Sequence, residues 1–397
     1  MSDNLGIWYR EAISPTQTNI SPPPLRKNFF EDESSTPLGD EGTQNSIDNC
    51  INRKTKIKIS YEKISKEFFT ENFITSDVKK YIEKSKLVDP EYKNITSKLK
   101  KDIPVLIFED FNTTGVTGDP FTIKENISGK RNDFYAFWWQ LYSGNKGEGT
   151  SAIKGGSVGV GRLTFAYSSN ISTFFAFSVP KSNQDKKFFL GVGVFGKYSD
   201  QDGAKDSFCR YGHGGLGKFY PITEENKLKE FHEKFKLSRG FNEPGLSMII
   251  PFPEKESCDL KSLKINLLER YRYSIYKDEV EIDINGDILS KDTLMPFIKK
   301  HLPEQLEKYA KYFNFLDQCS QLKGKDLCNI NIEDNPREVK EYHISKENIT
   351  QWTQNFSLGK IIPCKFNFTI KKKDGPDAEA SIKVYLQSSK SLGSNLG

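Results

Sequence analysis

Apolar positions along the chain fall into short runs separated by polar stretches, and the period of each run sets the element it predicts. Residues 40–51 read as a helix, with Asp40 as its N-cap. In 54–61 (KTKIKISY) polar and apolar residues alternate over the second half, as in a half-buried strand. Residues 67–86 read as helical. Residues 103–108 (IPVLIF) read as a short apolar strand that runs straight into EDFNTTGVTGD. Further strands are predicted at 172–179, 188–196 and 246–252. The composition turns polar at 253–259 (PEKESCD), which marks a domain boundary. Beyond it, strands at 273–284, 364–371 and 380–387 mix with helices. There is no internal repeat.

Two stretches lack any period. Residues 11–38 are rich in Ser, Thr, Pro and acidic residues, with Pro22, Pro23 and Pro24 in a row, so the chain up to 38 reads as an extended arm. Residues 112–161 are rich in Gly, Ser, Asn and Lys around an aromatic island, Phe134 to Trp139. That mixture suits a mobile cover with one anchored patch. The resulting division is an arm (1–38), a first domain (39–255) and a second domain (256–397).

Composition narrows the classes. With 29 Phe and 17 Tyr in 397 residues, the chain can build a real core, which excludes global disorder. The net charge of +5 is a weak basic bias and does not by itself predict a nucleic-acid partner. No segment approaches the roughly 20 apolar residues that cross a bilayer, and the N-terminus lacks a signal-peptide pattern. Cys50, Cys209, Cys258, Cys319, Cys328 and Cys364 are scattered without a C-x-x-C pair. Free thiols in a reducing cytoplasm are the simplest reading. The four His are scattered too, which argues against a histidine cluster. The tail SSKSLGSNLG carries no end signal, as in a fragment or the first part of a longer architecture.

Three segments carry candidate chemistry. In Glu41-Gly-Thr-Gln-Asn45-Ser-Ile-Asp48 the spacing i, i+4, i+7 puts Glu41, Asn45 and Asp48 on one helix face. Two carboxylates and a carboxamide are a poor core stripe but suit Mg²⁺, which takes oxygen ligands and keeps waters. Glu41 is placed to orient and deprotonate a water aimed at a γ-phosphate. The second segment, Val105 to Asp110, delivers an acid into a turn containing Gly115 and Gly118, where Asp110 can accept from an exocyclic amine such as that of adenine. The third, Gly155 to Gly161 followed by Arg162, is a glycine loop ahead of an apolar segment. Its N–H groups can cradle phosphates, with Arg162 adding charge.

The order E-x-x-x-N-x-x-D, then strand and Asp with glycines, then G-x-x-G-x-G resembles the GHKL ATPases over residues 39–253. That class includes the ninety-kilodalton heat-shock chaperones, MutL and MORC proteins, type II topoisomerases and histidine kinases. The resemblance implies an α+β Bergerat two-layer sandwich, a mixed sheet with helices on one face, followed by a transducer-like α/β domain. It implies ATP and Mg²⁺ as cofactors and Glu41 as general base. Asn45 would be the metal ligand, Asp110 the adenine reader and Asp48 a support of the nucleotide side. Gly156, Gly159 and Gly161 would lie in the phosphate-binding hinge of a lid. Two departures stand out. Asn112 replaces the family's first glycine after the Asp, and Ser247 follows Gly245-Leu246 where the family places Thr after Gly. Asn tolerates left-handed backbone, so the turn can survive. Lys360, on a loop of the second domain, is a candidate γ-phosphate contact.

Other patterns carry less. Gly191-Val-Gly193-Val-Phe-Gly196 and Gly212-His-Gly214-Gly-Leu-Gly217 match G-x-G-x-x-G, but no convincing helix follows either, so both read as turns and His213 as a loop residue. Tyr198 stands where a P-loop needs Ser or Thr. Lys371-Lys372-Lys373 reads as a solvated hairpin end, and Trp138 with Trp139 as the packed anchor of the cover. No helices bearing a phospho-acceptor His precede the pocket, which disfavours a histidine kinase. The leading expectation is an ATP-driven switch, dimerising on ATP and controlling an effector protein, as in GHKL proteins of bacterial anti-phage defence. A chaperone-like or DNA-remodelling ATPase and a nucleotide-sensing scaffold with little turnover are the alternatives.

Overall fold

The computed structural model describes residues 5–12, 37–127, 129–139, 163–181, 186–200, 203–215, 218–332, 344–370 and 376–388. The chain divides into two compact units, Met1–Leu294 and Met295–Gly397.

The first unit contains β1 (Ile7–Ala12), α1 (Pro37–Asp48), β2 (Thr55–Ile64), α2 (Lys66–Phe73), α3 (Ser76–Lys84), α4 (Ile95–Lys98) and β3 (Ile103–Phe111). A short hairpin, β4 (Asn126–Ile127) and β5 (Lys130–Arg131), leads to α5 (Asp133–Trp138). Next come α6 (Leu163–Tyr167), β6 (Thr173–Val179), β7 (Phe188–Val194), β8 (Tyr198–Asp200), β9 (Gly203–Gly215) and β10 (Lys218–Tyr220). The unit finishes with α7 (Glu225–Lys234), β11 (Gly245–Pro251), α8 (Leu260–Tyr276), β12 (Val280–Ile284) and β13 (Asp287–Leu289). One large mixed sheet runs in the order β1-β9-β7-β6-β11-β3-β2-β12-β13, with β8 and β10 added to β9. Strand β12 is parallel to β2; the other pairings are antiparallel.

Both faces of this sheet are apolar, and helices cover both. Along β3, Ile103, Val105 and Ile107 join the aromatic core formed with α2 and α7. Phe69 of α2 lies edge-on to Phe175 and Phe252, and Phe231 of α7 stacks on Phe189 at 3.9 Å. The alternate residue Phe108 points the other way, toward Phe165 of α6 and Gly42 of α1. A mixed α/β architecture around a mixed sheet is therefore present. The expected restriction of helices to one face is not, because the Phe-rich second face also has to be buried.

Several local expectations need correction. The N-terminal segment is not arm throughout. Ile7–Ala12 forms the edge strand β1, held by the Trp8 indole N–H on the Phe73 carbonyl (2.9 Å) and by Trp8 packing on Tyr211. Residues 13–36 of that arm and 140–161 of the cover lie outside the described residues. Helix α1 starts at Pro37, suited to a first helical position, so Asp40 falls within the first turn and is not the cap. The expected helix 67–86 is two, because Ile74 leaves helical geometry and the Thr75 hydroxyl caps α3 by accepting from the Val78 N–H. Residues 273–276 are helical rather than extended, since Leu263, Leu267, Leu268, Tyr271 and Ile275 recur at helical spacing and are all buried. The boundary expected near 253–259 falls after Leu294, because α8 packs on α1 and β12 extends the large sheet.

The second unit holds α9 (Leu294–His301, from Met295 onward), α10 (Leu306–Gln321), β14 (Cys328–Ile332), α11 (Lys346–Ser357), β15 (Ile362–Ile370) and β16 (Ala378–Leu386). Its sheet is β14-β15-β16, with Ile330, Ile362 and Cys364 as a small core against Trp352, Phe366 and Val384. Among the described residues no helix is long and apolar enough to cross a membrane.

Candidate functional site

Helix α1 lies unusually close to β3. A Cβ on Gly42 would sit 2.7 Å from the Phe108 ring, so only glycine allows this approach. One turn on, Ser46 is buried and aimed at the sheet. Its hydroxyl lies 2.8 Å from the Gly42 carbonyl and 3.2 Å from Asp110 Oδ2. The buried face of α1 is thus Leu38, Gly42, Thr43 and Ser46. Glu41, Asn45 and Asp48 occupy the neighbouring face at i, i+4 and i+7, as expected from their spacing. Asn45 Nδ2 donates to Glu41 Oε1 at 3.3 Å, which leaves the Asn45 carbonyl oxygen available. Asp48 is the last helical residue and is exposed, accepting from Gln44 Nε2 at 3.0 Å.

The end of β3 delivers Asp110 under α1. Its carboxylate is buried and accepts from the Thr113 hydroxyl at 2.6 Å, the Leu246 N–H at 2.7 Å and the Ser46 hydroxyl. Burial pushes the Asp110 carboxyl above the usual range, while nearby Arg239 and these three donors oppose the rise. An ionised carboxylate has about four acceptor positions, so one remains for a further donor. The turn that follows is zipped to the end of α1: Ile51 N–H donates to the Asn112 carbonyl (2.7 Å) and Thr114 N–H to the Asn49 carbonyl (3.1 Å). Asn112 takes φ +59°, the left-handed backbone in which it stands in for glycine. Gly115 has φ +62°, and a Cβ there would meet the Val179 carbonyl at 2.5 Å. Gly118 (φ +111°) packs on the Asn132 side chain.

The structure therefore brings the helix that carries Glu41 and Asn45 against Asp110 through Ser46, with Gly115 and Gly118 in the adjoining turn. Gly156, Gly159, Gly161 and Arg162 lie outside the described residues, as do Lys371 to Lys373. The segment after the glycine loop is α6, buried all round and packed against α1. Lys360 is exposed in the second unit, between α11 and β15.

Ser247 is a correction. It pairs directly with Glu109, not Asp110, so its side chain lies on the opposite face of the sheet. There it is fully buried, donating to Glu109 Oε1 (2.9 Å) and accepting from Arg239 Nε (2.7 Å). What serves Asp110 from this strand is the Leu246 N–H, together with the missing side chain of Gly245, whose Cβ would overlap the Asp110 carbonyl. The glycines read as turns are corrected too: Gly191 and Gly193 lie within β7, and Gly212 and Gly214 within β9. A Cβ on Gly191 would come within 2.6 Å of the Phe175 ring. His213 is an exposed strand residue 3.5 Å from Glu224. Trp138 is fully buried and stacks on Phe134 and Phe219, as an anchor should.

Residue patterns missed Ser46, Thr113, Glu109 and Arg239. Ser46 carried a signal, being i+4 from Gly42 and adjacent to Asn45. Arg239 carried none, since it sits 129 residues from Asp110 in a loop without periodicity. Among the described residues no group of three or more His, Cys, Asp or Glu could hold a metal ion. No model of a known protein family matches the chain, and no curated protein is similar to it.

Proposed function

We propose that the first unit is a Bergerat-type nucleotide site of the GHKL class, which binds ATP with Mg²⁺ and hydrolyses it. The observation that carries this reading is the buried Asp110 carboxylate. Three donors hold it beneath the helix that carries Glu41 and Asn45, and an ionised carboxylate, with about four acceptor positions, can take a further donor. Such a carboxylate suits the exocyclic amine of adenine. Asn45 would hold Mg²⁺ through its carbonyl oxygen, with the nucleotide phosphates and waters completing the shell. The ion would neutralise charge on the β- and γ-phosphates. Glu41, partly exposed beside Asn45, would orient the attacking water and accept its proton.

The same reading makes the chain a switch: ATP favours one conformation or a homodimer, and hydrolysis resets it. Control of an effector protein, as in anti-phage defence, is the setting the resemblance suggests. The decisive experiment is titration calorimetry with ATP, with and without Mg²⁺. Saturable, Mg²⁺-dependent binding that Asp110→Asn abolishes is the expected result; unchanged affinity in Asp110→Asn sinks the pocket assignment. Light scattering with a non-hydrolysable analogue tests dimerisation.

A further inference from the structure

Behind Asp110, on the far side of the sheet, lies a buried charge network that the nucleotide reading does not use. Arg239 enters from the loop between α7 and β11 and is almost wholly buried. One terminal guanidinium nitrogen donates to both the Asp110 and Leu246 carbonyls at 2.7 Å, and the other to the Glu243 carbonyl at 3.3 Å. Nε donates to the Ser247 hydroxyl, and Glu109 Oε1 lies 3.7 Å away. Glu109 is itself held by the Ser238 N–H (2.9 Å) and hydroxyl. The guanidinium also lies 5.1 Å over the Phe111 ring.

A buried ion pair of this kind stabilises a fold less than apolar side chains of similar size would, because both charges lose their water. Its presence here tracks one residue. The Asp110 side chain is gripped on one face by Ser46, Thr113 and the Leu246 N–H, while Arg239 grips its carbonyl from the other. Among the described residues, the charged groups around Arg239 besides Asp110 are Glu109 and Glu243. Helix α1 presents only the Ser46 hydroxyl, β11 the Leu246 N–H and the turn the Thr113 hydroxyl.

We infer that Arg239 is a positioning residue for base recognition, fixing the Asp110 peptide and keeping its carboxylate a pure acceptor, so that the site takes a 6-aminopurine nucleotide and rejects a 6-oxopurine. This rests on the reading of the site as a nucleotide pocket. An ionised carboxylate accepts from the amine of adenine but repels the carbonyl of guanine. Once protonated, it can donate to that carbonyl, and discrimination collapses.

The test is calorimetric affinity for ATP and for GTP, each with Mg²⁺, in wild type, Arg239→Met and Arg239→Lys, with folding checked by thermal melting. Wild type is expected to favour ATP. Arg239→Met should lower the ATP-to-GTP affinity ratio roughly tenfold or more, since a single protonation-linked hydrogen bond is worth about a decade. Arg239→Lys, which keeps the charge but loses the fork, should lie between. Because Arg239→Met risks misfolding, Arg239→Lys is the second variant: in a folded protein it too should lower the ratio, by less than Arg239→Met. An unchanged ratio in folded Arg239→Met overturns the inference. So does an unchanged ratio in folded Arg239→Lys when Arg239→Met does not fold, or a wild type that binds both nucleotides alike. A wild type that binds neither nucleotide instead overturns the pocket reading on which the inference rests.

Discussion

Asp110 has conflicting demands, and the conflict can be measured. Burial holds its carboxyl above the ordinary value of 3.8, so folding opposes its ionisation, while Arg239 and three donors favour it. For an acid raised in this way, the stability it contributes is complete below the unfolded value and is lost as pH rises through the folded value. Asp110→Asn removes that penalty. Its Tm should match wild type near about pH 4 and exceed it increasingly toward about pH 7, even as ATP binding is lost. Melting curves across that range check the sign; a variant less stable than wild type at neutral pH would show that the carboxylate's hydrogen bonds outweigh its desolvation. Glu41 sits differently, partly exposed and touching Asn45. Glu41→Ala should leave ATP affinity intact while slowing turnover by about 10²–10⁴-fold, the usual scale of a lost general base. A steady-state phosphate-release assay beside an equilibrium titration separates the two effects.

At the level of elements, the approach of α1 to β3 decides whether a site exists. Alanine ordinarily gains about 1 kcal/mol over glycine inside a helix. At Gly42 the sign should reverse, because the new Cβ would meet the buried Phe108 ring at 2.7 Å. We expect Gly42→Ala to cost about 1–3 kcal/mol by overpacking and to weaken nucleotide binding by lifting Ser46 off Asp110. Denaturant melts and titration calorimetry check both. These contacts also explain what was legible in the sequence. The face of Glu41, Asn45 and Asp48 could be read because helical spacing is local, and β3 because an apolar run of that length is a strand. The left-handed turn at Asn112 followed from residue chemistry alone. Ser247 was misplaced because strand alternation depends on register with β3, which single-chain spacing does not specify. Arg239 was invisible because its partners are all non-local. The division of 67–86 turned on Thr75, a cap inside what looked like one periodic stretch.

For the whole molecule, two compact units imply separable properties. Residues 1–294 contain Glu41, Asn45 and Asp110, whereas Lys360 belongs to 295–397. The isolated first unit should bind ATP as the full chain does. Titration calorimetry on the isolated unit and the full chain checks this; a lost or much weaker affinity in the isolated unit would show that the second unit is needed for binding. The sheet also carries a timing constraint. Strand β1 is made first, yet its only strand partner among the described residues is β9, and the bond from Arg10 Nε to the Asp206 carbonyl spans 196 residues. At ordinary rates of about 5–20 residues per second, β1 leaves the ribosome roughly 10–40 s before β9 exists to receive it. During that interval the Ile7–Ala12 segment is an unpaired strand with an aromatic side chain at its centre, open to any competing edge. Chaperone occupancy on nascent chains should accordingly begin when Ile7–Ala12 emerges and end when residues near 215 do.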